Sequence, residues 1–232
     1  MGLAGGGAFT NIDNKISDSG STDVDSYEGL VYLSYHPESF YVDAAFTLGL
    51  NHYTSERDIE FGGIHRSAVA HPRGLQLTAL VSGGYVYPLG GLEIVPLASL
   101  EYSHLNIERY DETGAGALNL TVNSQHYDLL QSGVGIKLVY PINDPNGSWT
   151  PEVHFKWLYD FVGDEQQTTS TFTLGGPLFA THGLEPAQSS FNVGAGFQML
   201  LATNVSMLGN YDFEWKEDFY SHSGAVTVRV AY

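Results

Sequence analysis

The 232 residues suit one large domain or a single closed barrel, and nine basic against 26 acidic side chains give a net charge of -17. That balance argues against nucleic acid as a partner and against simple attraction to an anionic surface. Cysteine is absent, which excludes a disulfide scaffold and thiol chemistry. No run of 18 apolar residues occurs, so there is no membrane helix. A membrane β-barrel stays open, because its apolar residues are spaced by two and average out, here to a mean hydropathy of -0.10.

Met1 to Gly7 has no basic n-region and no clear cleavage site, so it is not a signal peptide. Residues 3 to 11 read as a glycine-rich strand. After a polar stretch, Tyr27, Gly29, Val31, Leu33 and Tyr35 alternate with Glu28, Leu30, Tyr32 and Ser34. Beyond the turn His36-Pro37-Glu38-Ser39, Val42, Ala44, Phe46, Leu48 and Leu50 alternate with small or polar residues. A polar segment at about 54 to 72 reads as a long loop. Strands follow at 75 to 85 and at 92 to 102, joined by the tight turn Pro88-Leu89-Gly90-Gly91. Pro96 interrupts the second of these, which demands a bulge or a poorly paired position.

A loop at 109 to 118 precedes a strand ending at Tyr140. The sharpest alternation comes next: Val153, Phe155, Trp157, Tyr159 and Phe161 face one way, with Glu152, His154, Lys156 and Asp160 among those facing the other. A polar loop at 163 to 186 separates it from strands at 191 to 199 and 205 to 215. The last strand ends Val226-Thr227-Val228-Arg229-Val230-Ala231-Tyr232, apolar on its even positions.

The pattern predicts an all-β, antiparallel, up-and-down transmembrane barrel with about ten strands. Long connections at 12 to 22, 54 to 72, 109 to 118 and 163 to 186 alternate with shorter ones at 36 to 39, 88 to 91, 141 to 148 and 201 to 204. The long ones then share one end, as extracellular loops do, and both termini share the other. Tyr35, Tyr85, Tyr87 and Tyr140 fall near the turns, where an interfacial aromatic girdle belongs. The ionisable groups on the opposite parity line the interior: Glu28, Asp43, Glu101, Lys137, Glu152, Lys156, Asp160, Asp212, Glu214 and Arg229. They keep a water-filled lumen polar and pair among themselves.

Catalysis finds no support in the pattern. No serine sits in a nucleophile-elbow context, and no histidines show the spacing of a zinc helix. His154 and Asp160 share a face, but six residues along a strand separate them by about 20 Å. Gly114-Ala115-Gly116 lacks the lysine and helix start of a phosphate loop and serves to bend a loop. No metal or organic cofactor is expected.

Pro96 to Leu105, the run Glu112-Thr113-Gly114-Ala115-Gly116-Ala117-Leu118-Asn119-Leu120-Thr121-Val122, the segment Pro151 to Trp157 and the aromatic C-terminal strand together resemble the translocator domain of the classical bacterial autotransporters of type V secretion. The resemblance covers nearly the whole of residues 1 to 232, as one domain. It implies a twelve-stranded outer-membrane barrel with a helix threaded through its pore and a passenger upstream. Two strands, the pore helix and the passenger are then expected ahead of Met1. It also implies that the barrel anchors the passenger and assists its export to the cell surface. The implied partners are outer-membrane lipid, the barrel assembly machinery, and the chain's own passenger and pore helix, the barrel itself being monomeric. Val228, Val230 and Tyr232 fall where the family carries its assembly signal, and some interior charges would contact the pore helix or the moving polypeptide. A general porin or adhesin-type barrel working through its surface loops is the alternative, and a soluble β-sandwich or carbohydrate-binding barrel a third.

Overall fold

The computed structural model describes residues 1–13, 20–144, 147–163, 166–183 and 186–230. In chain order the strands are β1 (Gly2–Asp13), β2 (Gly20–Tyr35), β3 (Phe40–Phe61), β4 (Ile64–Ala70), β5 (Arg73–Tyr85), β6 (Tyr87–Leu89), β7 (Leu92–Ile107), β8 (Tyr110–Asp111), β9 (Leu120–Val122), β10 (Gln125–Val139), β11 (Ile142–Asp144), β12 (Gly147–Asp160), β13 (Gln167–Phe172), β14 (Phe179–His182), β15 (Ser189–Ala202), β16 (Val205–Lys216) and β17 (Phe219–Val230). Among the described residues a single 3-10 turn spans Gly116–Leu118.

Ten of these form a meander in which each long strand pairs antiparallel with the next, in the order β1-β2-β3-β5-β7-β10-β12-β15-β16-β17. The short strands β4, β6 and β11 extend β3, β7 and β12. The sheet curls on itself. Lys137 of β10 places its Nζ 5.6 Å from the ring centroid of Tyr41 on β3, although β5 and β7 lie between them in the sheet. Among the described residues no ladder joins β1 to β17, so the curl is open along that seam.

The parity of the pairing sorts the side chains. Val31 pairs with Phe46 and Phe46 with Ala79. Val134 pairs with Trp157, Trp157 with Phe191 and Phe191 with Trp215. These apolar positions share the convex face, and all but Ala79 are exposed. Phe155, Phe191 and Trp215 stack in sequence with centroids 5.9 and 6.0 Å apart. Tyr35, Tyr85, Tyr87 and Tyr140 are likewise exposed, near the turns. A soluble sheet cannot leave such a face in water, whereas hydrocarbon accepts it. This excludes the sandwich reading.

Pro96 needs no bulge. It pairs with Ile136 of β10, and on its other side the ladder with β5 ends at Gly84–Leu97.

The segments expected as long loops carry structure of their own. The stretch 54 to 72 is no loop: β3 runs on to Phe61 and returns as β4 through Gly62-Gly63, both with positive φ (55° and 82°), the two-residue turn that suits hairpin twist. Beyond the membrane band both faces of this hairpin are wet or packed, so the period-two apolar signal fades although the ladder continues. Similarly, 109 to 118 and 163 to 186 contribute to a second sheet of order β14-β13-β9-β8. β1 reaches Asp13 and β2 begins at Gly20, which shortens the 12 to 22 connection; residues 14–19 between them lie outside the described residues.

These pieces form a cap at one end of the curl. Ile59, Ala68 and Ala115 are buried together with Leu118 against them, the only such cluster among the described residues. Arg57 donates from Nε and Nη2 to the two carboxylate oxygens of Glu112 at 2.9 and 2.5 Å, and from Nη2 to the Leu118 carbonyl. The Glu112 hydrogen bonds raise the Arg57 guanidinium above its already high pKa. Arg66 donates to the carbonyl of Ala115 at 2.6 Å, and Val69 and Thr113 exchange two backbone bonds. Gly114 has φ 98°, and a Cβ there would lie 2.7 Å from the Ser67 carbonyl oxygen. Only glycine lets the loop approach β4 so closely.

Because the Glu112 side chain is 9% exposed, removing its cation strands a buried charge, at a cost of about 3 kcal/mol. Arg57→Ala is expected to speed amide hydrogen exchange across residues 112 to 121 while leaving the β10–β12 and β15–β16 ladders protected. Exchange followed peptide by peptide in detergent checks this.

Candidate functional site

The concave face is the candidate site, and in the pairing register the ten charges named from the sequence share its parity. In the pairing, Asp43 stands opposite Ser82, Glu101 opposite Gln131, Gln131 opposite Asp160, Lys156 opposite Asn192 and Asn192 opposite Glu214. Glu28 lies over Gly49, and Arg229 pairs with Ser206 near the end of β17.

Some of these charges meet and others do not. Lys137 forms an ion pair with Glu152 at 3.5 Å, each about a quarter to a third exposed, so the pair contributes on the order of 1 kcal/mol or less. Asp43 accepts hydrogen bonds from Ser34 and from His36 Nε2, the latter at 2.8 Å. Glu101 and Glu214 lie within electrostatic reach of each other, although β10, β12 and β15 separate their strands. Asp160 is 8% exposed and turns to accept the backbone N–H of Val162 at 3.0 Å. It does not meet His154.

His154 has another partner. Its Nε2 lies 2.9 Å from Asn192 Oδ1 and 2.9 Å from Asp212 Oδ1, while Asn210 donates to the second oxygen of Asp212 at 3.1 Å. The imidazole starts on β12 and the carboxylate on β16, with β15 between them. Gly194 of β15 makes the crossing possible, since a Cβ there would lie closer than 3.0 Å to the ring and to the carboxylate. Two acceptors on one nitrogen place the proton on Nε2.

That arrangement repeats along β12. Its inward row is Glu152, His154, Lys156 and Leu158, and each side chain lies sideways over a glycine of a neighbouring strand. Glu152 covers Gly196, His154 covers Gly194, Lys156 covers Gly135 and Leu158 covers Gly133. Long polar side chains therefore lie flat on the wall and leave the interior open. The sequence contains the signal for this: glycines on the inward parity of β10 and β15 flank the most charged inward row of the chain. Parity puts His154 inside, but only the pairing register reveals that it meets Asp212 and Asn192.

Toward the cap the wall changes character. Ser26 donates to Asn51 at 2.7 Å, Asn51 to Gln76 at 3.5 Å and Gln76 to Ser103 at 3.4 Å, so uncharged polar groups link β2, β3, β5 and β7. They open onto a cleft of about 420 Å³ at the cap end of the interior. Residue-by-residue attention to charge misses this belt, because asparagine, glutamine and serine on a strand carry no motif.

Of the sites named from the sequence, Val228 and Val230 lie exposed on the convex face, and Tyr232 lies outside the described residues. Among the described residues no group of three or more His, Cys, Asp or Glu is placed to hold a metal ion.

Comparison with known proteins supplies the remaining evidence. The model of the autotransporter beta-domain matches residues 1–212. Outer membrane protein A of Rickettsia conorii is 27% identical over 244 residues, covering 99% of this chain and 12% of that protein. Esterase EstA of Pseudomonas aeruginosa is 25% identical over 209 residues, covering 87% of this chain and 32% of that protein. The chain thus spans about an eighth of its rickettsial relative and a third of the esterase. Among solved structures, the translocator domain of the autotransporter NalP from Neisseria meningitidis superposes with a TM-score of 0.72 at 19% identity, covering 93% of this chain and 68% of that one. The beta domain of the Bordetella autotransporter BrkA gives 0.55 at 14% identity, covering 99% and 90%. These two likenesses bear on the fold. With its apolar convex face, polar concave face and a family match over residues 1–212, the chain belongs to the autotransporter beta-domain family, as an outer-membrane translocator domain of type V secretion.

Proposed function

We propose that the domain anchors an attached passenger in the outer membrane and that the passenger reaches the surface through the concave interior. The reading is carried by the inversion of the sheet, apolar on its convex face and polar on its concave one, with a folded cap at one end. In this reading the interior charges contact the threaded segment, whether helix or moving polypeptide, and pair among themselves when it is absent. Lipid meets the convex face. The assembly machinery reads the C-terminal segment of the sequence, which carries Val228, Val230 and Tyr232. The domain contributes conduit and anchor, and the chemistry of any passenger lies outside it.

Three measurements test this. In cells producing the full-length protein, the passenger should become accessible to added protease while this domain remains in the outer-membrane fraction. A passenger that stays protease-protected behind a correctly inserted domain overturns the conduit.

Phe155→Arg places a charge on the lipid face of β12, at a cost of about 2–4 kcal/mol near the bilayer midplane. Lys156→Gln changes the inward neighbour. The first variant should lose heat-modifiable migration after refolding into lipid, and the second should keep it.

Gly194→Ala should displace His154 from Asp212 and Asn192 without unfolding the sheet. The His154 ring resonances in NMR should lose their dependence on Asp212→Asn, which in the unaltered protein shifts them.

A further inference from the structure

The interior has two chemically distinct zones, and only one of them suits a substrate of variable sequence. Nearer the turns the wall carries the charges of Asp43, Lys137, Glu152 and Asp212, with His154 against Asp212. At the cap end, carboxamides converge on the cleft from several strands and loops, Gln76 and Gln131 from the wall and Gln166, Gln167 and Gln188 from its rim, with Ser103 and Ser190 between them. The charges that line this cleft are already engaged, and Glu101, in register with Gln131, lies outside its lining. Asp160 is bonded to the Val162 N–H, Asp128 holds Tyr102 and His104, and the Lys216 ammonium lies 4.9 Å over the Phe219 ring.

The carboxamides are less committed. The Asn51–Gln76 and Gln76–Ser103 links are long, at 3.5 and 3.4 Å. Gln188 accepts from Tyr159 at 3.2 Å through its oxygen, an arrangement that uses none of its amide donors. The Gln166 Oε1 is buried without a hydrogen-bond partner. A carboxamide both donates and accepts, so it matches a peptide group whatever side chain follows. An extended main chain offers an N–H and a C=O at every residue, whereas a helix has already spent all but those at its ends.

We infer that this carboxamide belt is a binding site for the main chain of an extended polypeptide, holding it at the cap end of the interior without regard to its sequence. The inference rests on the conduit reading. Each bond exchanges one with water for one with a peptide group, so the hold is weak per residue and renewed as the chain advances. Charged walls would favour some passengers and repel others; neutral amides do neither.

The test uses the full-length protein in cells. Gln76, Gln131 and Gln188 are changed together to Leu, or together to Asn, and surface appearance of the passenger is timed by pulse labelling and added protease. Heat-modifiable migration confirms that each barrel forms. The Leu set is expected to slow export severalfold, equally for the native passenger and for one with its charged residues permuted, and the Asn set to restore most of the rate. Export at the unaltered rate in the Leu set overturns the belt while leaving the conduit standing, and so does a slowing that depends on passenger charge, since that assigns the hold to the charged zone. Absence of export from the unaltered protein overturns both.

Discussion

A backbone in hydrocarbon has no water to bond, so each N–H and C=O must find its partner within the protein. Most of this fold follows from that constraint. It selects a meander in which each spanning strand is paired along its length by the next, and it leaves proline only where a ladder has ended, as at Pro96 beyond Gly84–Leu97. It also bears on β1 and β17, each of which has a spanning neighbour on one side only among the described residues. In lipid those two edges need ladder partners, and the backbone requires this more strictly than any side chain does.

Once the exterior is given to lipid, the interior must provide what an exterior normally provides. A polar wall of long side chains would fill a narrow curl if they pointed inward. The glycines at 133, 135, 194 and 196 solve the volume problem by letting Leu158, Lys156, His154 and Glu152 lie along the wall. The same notches decide which charges meet. His154 reaches across β15 to Asp212 only because Gly194 is beneath it, so electrostatics here is set by backbone space.

The strands inside the membrane band were legible because one face touches lipid and the other does not, which stamps period two on the residues. Val153 to Phe161 is the clearest case, and all ten anticipated interior charges fall on the concave parity. The same logic explains what was not legible. Arg57, Glu112 and Ala115 act through contacts between segments about 55 residues apart, and such contacts leave no local periodicity. The hairpin β3–β4 is continuous in the ladder and alternates in burial, yet its packed face carries Ser55 and Arg57 beside Ile59, so no apolar period of two appears in its sequence. The carboxamide belt escaped for a related reason: polar uncharged residues at inward positions look like filler until the register shows that they converge. An apolar last strand says nothing about which strand it pairs with, and among the described residues no ladder joins β17 to β1.

The cap is held by ordinary means, a small apolar cluster and a half-buried ion pair, because it stands in water. The sheet below it is held by lipid and by its ladders. The two are joined by β3, whose 22 residues span roughly 70 Å if fully extended, about twice the 9–11 residues a tilted strand needs to cross the hydrocarbon. A loop of that length would let the cap drift over the opening. A continuous strand paired with β2 and β5 below and with β4 above fixes its position instead. The loop from Glu112 to Leu118 is therefore positioned over the interior by Arg57 and Arg66 of that hairpin. The Arg57–Glu112 pair, its carboxylate buried and its guanidinium partly exposed, ties that loop to the long strand.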